Sequence, residues 1–149
     1  MTSSSNSYVT IAELKTRLID FEEESARTYA TLMELTADEN ANSILGLLMR
    51  EEKEHAKKLG NLRVEDRSAG LLQFPPEVSL SMPPIPVNKD LGTMLAYAVE
   101  REAQSARIYT SAASQSSGAF KELFVDLAAW EHRHEERVSQ LKNELTGGR

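Results

Sequence analysis

The sequence predicts an all-α fold, an antiparallel four-helix bundle, and three observations carry that expectation. Four long stretches place apolar residues at the three-and-four spacing of a helix, and almost no strand signal competes with them. All five prolines fall in one span, at Pro75, Pro76, Pro83, Pro84 and Pro86. The halves on either side of that span repeat one another: E-x-x-S-A-R-x-Y occurs at Glu22 to Tyr29 and again at Glu102 to Tyr109. Two duplicated helical hairpins joined by a long proline-rich crossover, within a single domain over 1–149, satisfy all three.

The elements follow in order. Residues 1–9 open on the polar run Met1 to Ser7 and are expected to fray, as is the closing Gly147-Gly148-Arg149. The first helix starts at Thr10, whose hydroxyl can cap it while Glu13 completes a capping box, and runs to about Ala37. A second, from about Asn40 to Asp66, completes the first hairpin over 10–66. The crossover over 67–89 is neither helix nor central strand, because proline removes backbone donors and fixes φ. It is too long for a tight turn but long enough to run along a bundle. The second hairpin, over 90–145, opens with Asp90 as N-cap of a helix to about Ser116. Its other helix begins near Ser117-Gly118 and ends before Thr146. Each helix is roughly 27 residues, or about 40 Å.

Composition narrows the function. A chain of 149 residues, 40% hydrophobic and 27% charged, can bury a real core. No apolar run is long enough to span a bilayer and no signal segment opens the chain, so no membrane partner and a cytoplasmic location are expected. The net charge of −6 disfavours nucleic acid, which needs a basic face. Cysteine is absent, which excludes disulfides, thiolate metal sites and a cysteine nucleophile. Any metal must sit on oxygen and nitrogen.

The seams of the four helices place such ligands. The first reads Ile11, Leu14, Leu18, Glu22, Ser25, Tyr29, Leu32, and the second Leu45, Leu48, Glu52, His55, Leu59, Leu62. The third reads Leu91, Leu95, Ala98, Glu102, Ser105, Tyr109, Ala112, and the fourth Phe120, Phe124, Leu127, Glu131, His134, Val138, Leu141, Leu145. Each apolar stripe is interrupted near mid-helix by ionisable groups. Burying one unpaired carboxylate costs several kcal/mol, and four together repel. Four carboxylates are neutralised by two divalent cations, and two imidazoles complete a set suited to iron or manganese. The i, i+3 spacing of Glu52 with His55 and of Glu131 with His134 puts each pair on one helix face. A single E-x-x-H carries little weight; two copies on matched seams, each with a partner glutamate, carry much more.

Other residues are weighed against bland roles. Tyr29 and Tyr109 lie two turns beyond Glu22 and Glu102, either as core aromatics or as donors to the ligand carboxylates. His132 is read as an exposed bystander. Trp130 adjoins Glu131 but leaves the seam and is assigned to packing or an interface rather than to electron transfer. Met33, Met49 and Met94 read as core filler.

At these residues the chain resembles the ferritin-like superfamily and, within it, rubrerythrin-like di-iron carboxylate proteins. The carrying stretches are Glu22 to Tyr29, Glu52 to His55, Glu102 to Tyr109 and Glu131 to His134. The resemblance implies a ferritin-like bundle with a di-iron centre, manganese being the other candidate. It implies oxidation of Fe(II) with reduction of hydrogen peroxide or dioxygen, acting through Glu22, Glu52, His55, Glu102, Glu131 and His134. Glu22 with His55 would serve one metal and Glu102 with His134 the other, with Glu52 and Glu131 bridging.

Two departures stand out. The cysteine iron site of rubrerythrins proper is missing, so a separate electron donor or direct ferrous oxidation is needed. Ser105 stands where rubrerythrins tend to carry an extra glutamate, leaving a symmetric six-ligand set. A homo-oligomer such as a dimer is expected. Iron storage without sustained turnover, a dimanganese catalase-like centre and a metal-free partner-binding bundle are the competing readings.

Overall fold

The computed structural model describes residues 5–64 and 70–147. Within them the chain is mostly helical. Helices α1 (Ile11–Leu35) and α2 (Glu39–Asn61) form one antiparallel pair, and α3 (Leu91–Ser114) and α4 (Gly118–Thr146) form the other. Helix α1 also packs against α3, and α2 against α4, so the two pairs face each other.

The caps follow the residues at each start. Thr10 Oγ1 accepts the Glu13 amide at 3.1 Å while Glu13 Oε1 accepts the Thr10 amide at 3.4 Å, the expected capping box. Asp38 caps α2 by accepting from the Ala41 amide, and Asp90 caps α3 by accepting from that of Thr93, each at 2.8 Å. Gly147 closes α4 at φ 71°, left-handed geometry that a glycine adopts without strain. Helix α2 ends at Asn61, short of Asp66, which itself lies outside the described residues.

One expectation needs correcting. Ser7 to Val9, assigned above to a frayed tail, belong to a strand, β1 (Ser7–Thr10), which pairs antiparallel with β2 (Leu71–Phe74) inside the crossover. Residues 1–4 of that tail and 148–149 at the other end lie outside the described residues. The ribbon forms because Val9, Leu72 and Phe74 turn inward onto the core while Tyr8, Leu71 and Gln73 face out. Four residues of period-two alternation are too few to stand out in the sequence.

Side chains along α3 and at its C-cap, Gln115, hold the crossover against the helix. Gln115 brackets Gln73, its Oε1 accepting the Gln73 amide and its Nε2 donating to the Gln73 carbonyl, both at 2.7 Å. Further along, Gln104 donates to the Ser79 carbonyl, and the Tyr97 hydroxyl donates to that of Pro83 at 3.3 Å. The segment therefore returns from the far end of α3 to its start, as its length requires.

The apolar core is split in two. One cluster gathers Leu14, Leu18, Leu59, Phe74, Ile108 and Phe124, with the ribbon and Leu80 over it. The other gathers Leu32, Leu45, Leu48, Leu95, Val138 and Leu141, and includes Met94, with Met33 and Met49 packed against it. Between the two lies a polar layer.

Arg101 ties that layer to its frame. Its side chain is buried, yet it donates to the Phe21 carbonyl at 2.9 Å and the Tyr97 hydroxyl at 3.1 Å, and lies 3.4 Å from Glu24. Removing it takes the donor from the Phe21 carbonyl and the Tyr97 hydroxyl and leaves a cavity where the guanidinium was enclosed. Arg101→Ala is expected to cost about 3 kcal/mol of stability, read as a lowered urea midpoint.

Candidate metal centre

The polar layer is built by one turn from each helix. Helix α1 contributes Glu22, α2 contributes Glu52 and His55, α3 contributes Glu102, and α4 contributes Glu131 and His134, all buried. The seam periodicity that brings leucines into the two clusters brings these six residues to the level between them. Each of the six sequence-predicted site residues is thus in one place.

Their atoms fall into two overlapping groups. Glu22, Glu52, His55 and Glu131 can each offer an atom such that all lie within 4.8 Å of one another. Glu52, Glu102, Glu131 and His134 can do the same. Glu52 and Glu131 belong to both. Each group could hold a metal ion.

The imidazoles present Nδ1 to the centre. His55 Nδ1 is 3.1 Å from Glu22 Oε2, 3.1 Å from Glu131 Oε1 and 3.5 Å from Glu52 Oε1. His134 Nδ1 is 2.7 Å from Glu52 Oε1 and 3.4 Å from Glu102 Oε2. The two rings lie nearly parallel, with centroids 5.6 Å apart.

Glu22 and Glu102 divide their oxygens between two tasks. Glu102 Oε1 accepts from the Tyr29 hydroxyl at 2.7 Å and from Ser25 at 3.2 Å, leaving Oε2 turned toward His134. Glu22 Oε1 accepts from the Tyr109 hydroxyl at 2.9 Å, leaving Oε2 toward His55. Each tyrosine therefore serves the glutamate of the opposite hairpin. The sequence places the tyrosines on the right face without saying which carboxylate they meet, and Ser25 was read only as a seam position.

Two neighbours border the imidazoles, and sequence reasoning missed the first of them, Glu51. Glu51 Oε1 lies 3.8 Å from His134 Nε2. Trp130, assigned above to packing or an interface, stands against both imidazoles, with ring centroids 6.0 Å from His55 and 6.1 Å from His134. The Arg133 guanidinium sits over its indole at 4.3 Å. The signal available was adjacency: both residues immediately precede the glutamate of an E-x-x-H. His132 is exposed and pairs only loosely with Glu135, at 3.8 Å.

Without a cation the layer holds its charge awkwardly. Burial, then the charge of Glu52, pushes Glu22 up to about 7. Burial, then Glu102, Glu22 and Glu52, raises Glu131 well above the carboxylate range. Glu52 goes the other way: burial would raise it, but His134 and His55 outweigh burial and hold it at about 2. Burial would lower the imidazoles, but Glu22 and Glu52 bring His55 to about 9, and Glu102 and Glu52 bring His134 to about 10. Tyr29 and Tyr109 are raised by burial, then by the charge of Glu102 and of Glu22 respectively, and stay protonated donors.

The metal-free protein should therefore lose stability as the pH rises from about 7 to 10. A histidine raised from 6.5 in the unfolded chain to about 9 or 10 stabilises the fold fully below 6.5, and that contribution disappears as the pH passes the folded value. Glu22, raised from 4.5 to about 7, has the same sign but loses its contribution between those values, before this window opens. Glu52 contributes above 4.5 and loses its contribution only toward 2, outside this window. Urea midpoints at pH 6.5 and 9.5 in the presence of a chelator test the sign.

The residues fit a metal centre on one further count. Glu52 Oε1, Glu102 Oε2, Glu131 Oε2 and the inward-facing Nδ1 of His134 are buried with no partner in hydrogen-bond geometry. Such atoms are costly in a dry interior unless something outside the side-chain set engages them. Cations at the centre of the layer would engage the carboxylate oxygens and Nδ1 together.

Compared with protein-family profiles, curated proteins and solved structures, the chain matches none. Among the described residues no helix is long and apolar enough to cross a membrane.

Proposed function

We propose that this protein is a dimetal carboxylate protein, with two divalent cations between the four glutamates and two histidines. More particularly, we read it as a ferritin-like bundle of the rubrerythrin type that oxidises Fe(II) and reduces hydrogen peroxide or dioxygen. The observation that carries the reading is the pair of overlapping four-residue groups sharing Glu52 and Glu131. Four carboxylates balance two divalent charges, and the mixed oxygen and nitrogen set suits iron, with manganese the alternative.

When bound, a pair of ferrous ions supplies two electrons, as many as peroxide needs to become two waters with the uptake of two protons. The chain's own residues do the rest. Glu22 and Glu102 each turn one oxygen inward while Tyr109 and Tyr29 hold the other. Glu52 and Glu131, which belong to both four-residue groups, would help to hold both ions. The leucine clusters above and below limit water at the centre. With no cysteine in the chain, electrons for repeated turnover come from ferrous iron itself or from a separate donor.

The test is anaerobic loading with Fe(II), followed by stopped-flow mixing with peroxide and, separately, with dioxygen. Two Fe(II) oxidised per peroxide consumed supports the reading. Oxygen evolved from peroxide by manganese-loaded protein without added reductant would favour the catalase-like alternative. Oxidation no faster than for free Fe(II), with both metals, would overturn the enzymatic assignment.

A further inference from the structure

The internal repeat makes the two halves of the centre alike in their ligands, and it fails one residue away. Glu22 corresponds to Glu102, Tyr29 to Tyr109, Glu52 to Glu131 and His55 to His134. The residue before Glu52 is Glu51, and its counterpart before Glu131 is Trp130. A carboxylate on one side is thus an indole on the other.

The difference falls behind the imidazoles. His134 turns Nδ1 inward, and Glu51 Oε1 is the carboxylate oxygen facing its Nε2, at 3.8 Å. A cavity of about 80 Å³ borders both residues, room enough for a water to complete the link. On the other side, the carboxylates within 4.0 Å of His55 among the described residues all face Nδ1, and the residue at the place of Glu51 is Trp130, whose indole stands against both imidazole rings. An indole N–H is a donor only and cannot accept from an imidazole N–H.

A carboxylate that accepts from the outer N–H of a ligand histidine fixes the tautomer with the free lone pair on the inner nitrogen. It also makes that nitrogen a stronger donor. From this we infer that the two metal positions are inequivalent. The position served by Glu102 and His134, backed by Glu51, binds its cation more tightly and fills first. The position served by Glu22 and His55 fills second. Glu51 acts through His134 and is a positioning residue. The inference rests on the dimetal reading above.

The experiment is anaerobic titration of metal-free protein with Co(II), followed by its visible absorption and by calorimetry. Wild type should take up two ions in two steps separated by about 10-fold or more in affinity. Glu51→Ala should weaken the first step by about 10- to 100-fold and leave the second in place, with the metal-free melting temperature little changed. Glu51→Gln, which keeps an acceptor, should recover part of the loss. Trp130→Glu should tighten the second step and bring the two together. Glu22→Ala should keep the tight step, and Glu102→Ala should remove it. Two ions bound with one affinity in wild type, unmoved by Glu51→Ala, would overturn the inference while leaving the dimetal reading standing. No Co(II) bound by wild type, with Fe(II) and Mn(II) also excluded, would overturn the reading itself.

Discussion

Glu52→Ala is expected to abolish binding of both cations, weakening apparent affinity on the order of 100-fold or more. Glu52 lies in both four-residue groups, and its Oε1 is within 3.5 Å of His55 Nδ1 and 2.7 Å of His134 Nδ1. No other described side chain offers a carboxylate from α2 at that level, because Glu51 faces the outer nitrogen of His134. The metal-free variant should also be less stable. Glu52 is the carboxylate that both charged imidazoles hold ionised, so its loss leaves them without that counter-charge at neutral pH. A decrease of about 3 kcal/mol in chelator-treated protein is the expected size. Equilibrium dialysis for the metal and urea unfolding for the fold read the two effects separately.

Glu131→Leu should also destroy metal binding, with the opposite effect on the bare fold. Glu131 is fully buried, and burial together with three neighbouring carboxylates disfavours its charge. Its partner His55 keeps Glu22 and Glu52 after the substitution. A leucine there continues the apolar seam between Leu127 and Val138. The metal-free variant is expected to gain about 2 kcal/mol, since replacing a buried ionisable group with an apolar side chain often stabilises. A gain from Glu131→Leu beside a loss from Glu52→Ala would separate the layer's two shared carboxylates, although both belong to the same two four-residue groups. Equal losses in both would mean that the layer's charges are arranged otherwise than described.

Much of the site was legible because burial makes periodicity informative. A leucine seam interrupted at one level by Glu22, Glu52, His55, Glu102, Glu131 and His134 contradicts the cost of burying charge, and the repeat states the contradiction twice. The helices and the caps at Thr10 and Asp90 were legible for similarly local reasons. What lay hidden depends on which neighbour a face meets. That Tyr29 reaches Glu102 and Tyr109 reaches Glu22 follows from α1 packing on α3, which no single-helix pattern states. Arg101 lies one residue off the seam that carries Glu102, yet its guanidinium is buried and donates to the Phe21 carbonyl and the Tyr97 hydroxyl. Glu51 and Trp130 fall off their own seams and reach the centre from the side where α2 faces α4. The ribbon escaped notice because its strands are four residues each and lie far apart in the chain.

The most direct test of the dimetal centre is metal content per chain after anaerobic Fe(II) loading and desalting, wild type beside Glu52→Ala. About two irons per wild-type chain and nearly none in the variant are expected. Wild-type protein that retains no iron, and no manganese when that is offered instead, would contradict the dimetal reading and leave the buried glutamates and histidines as a structural layer.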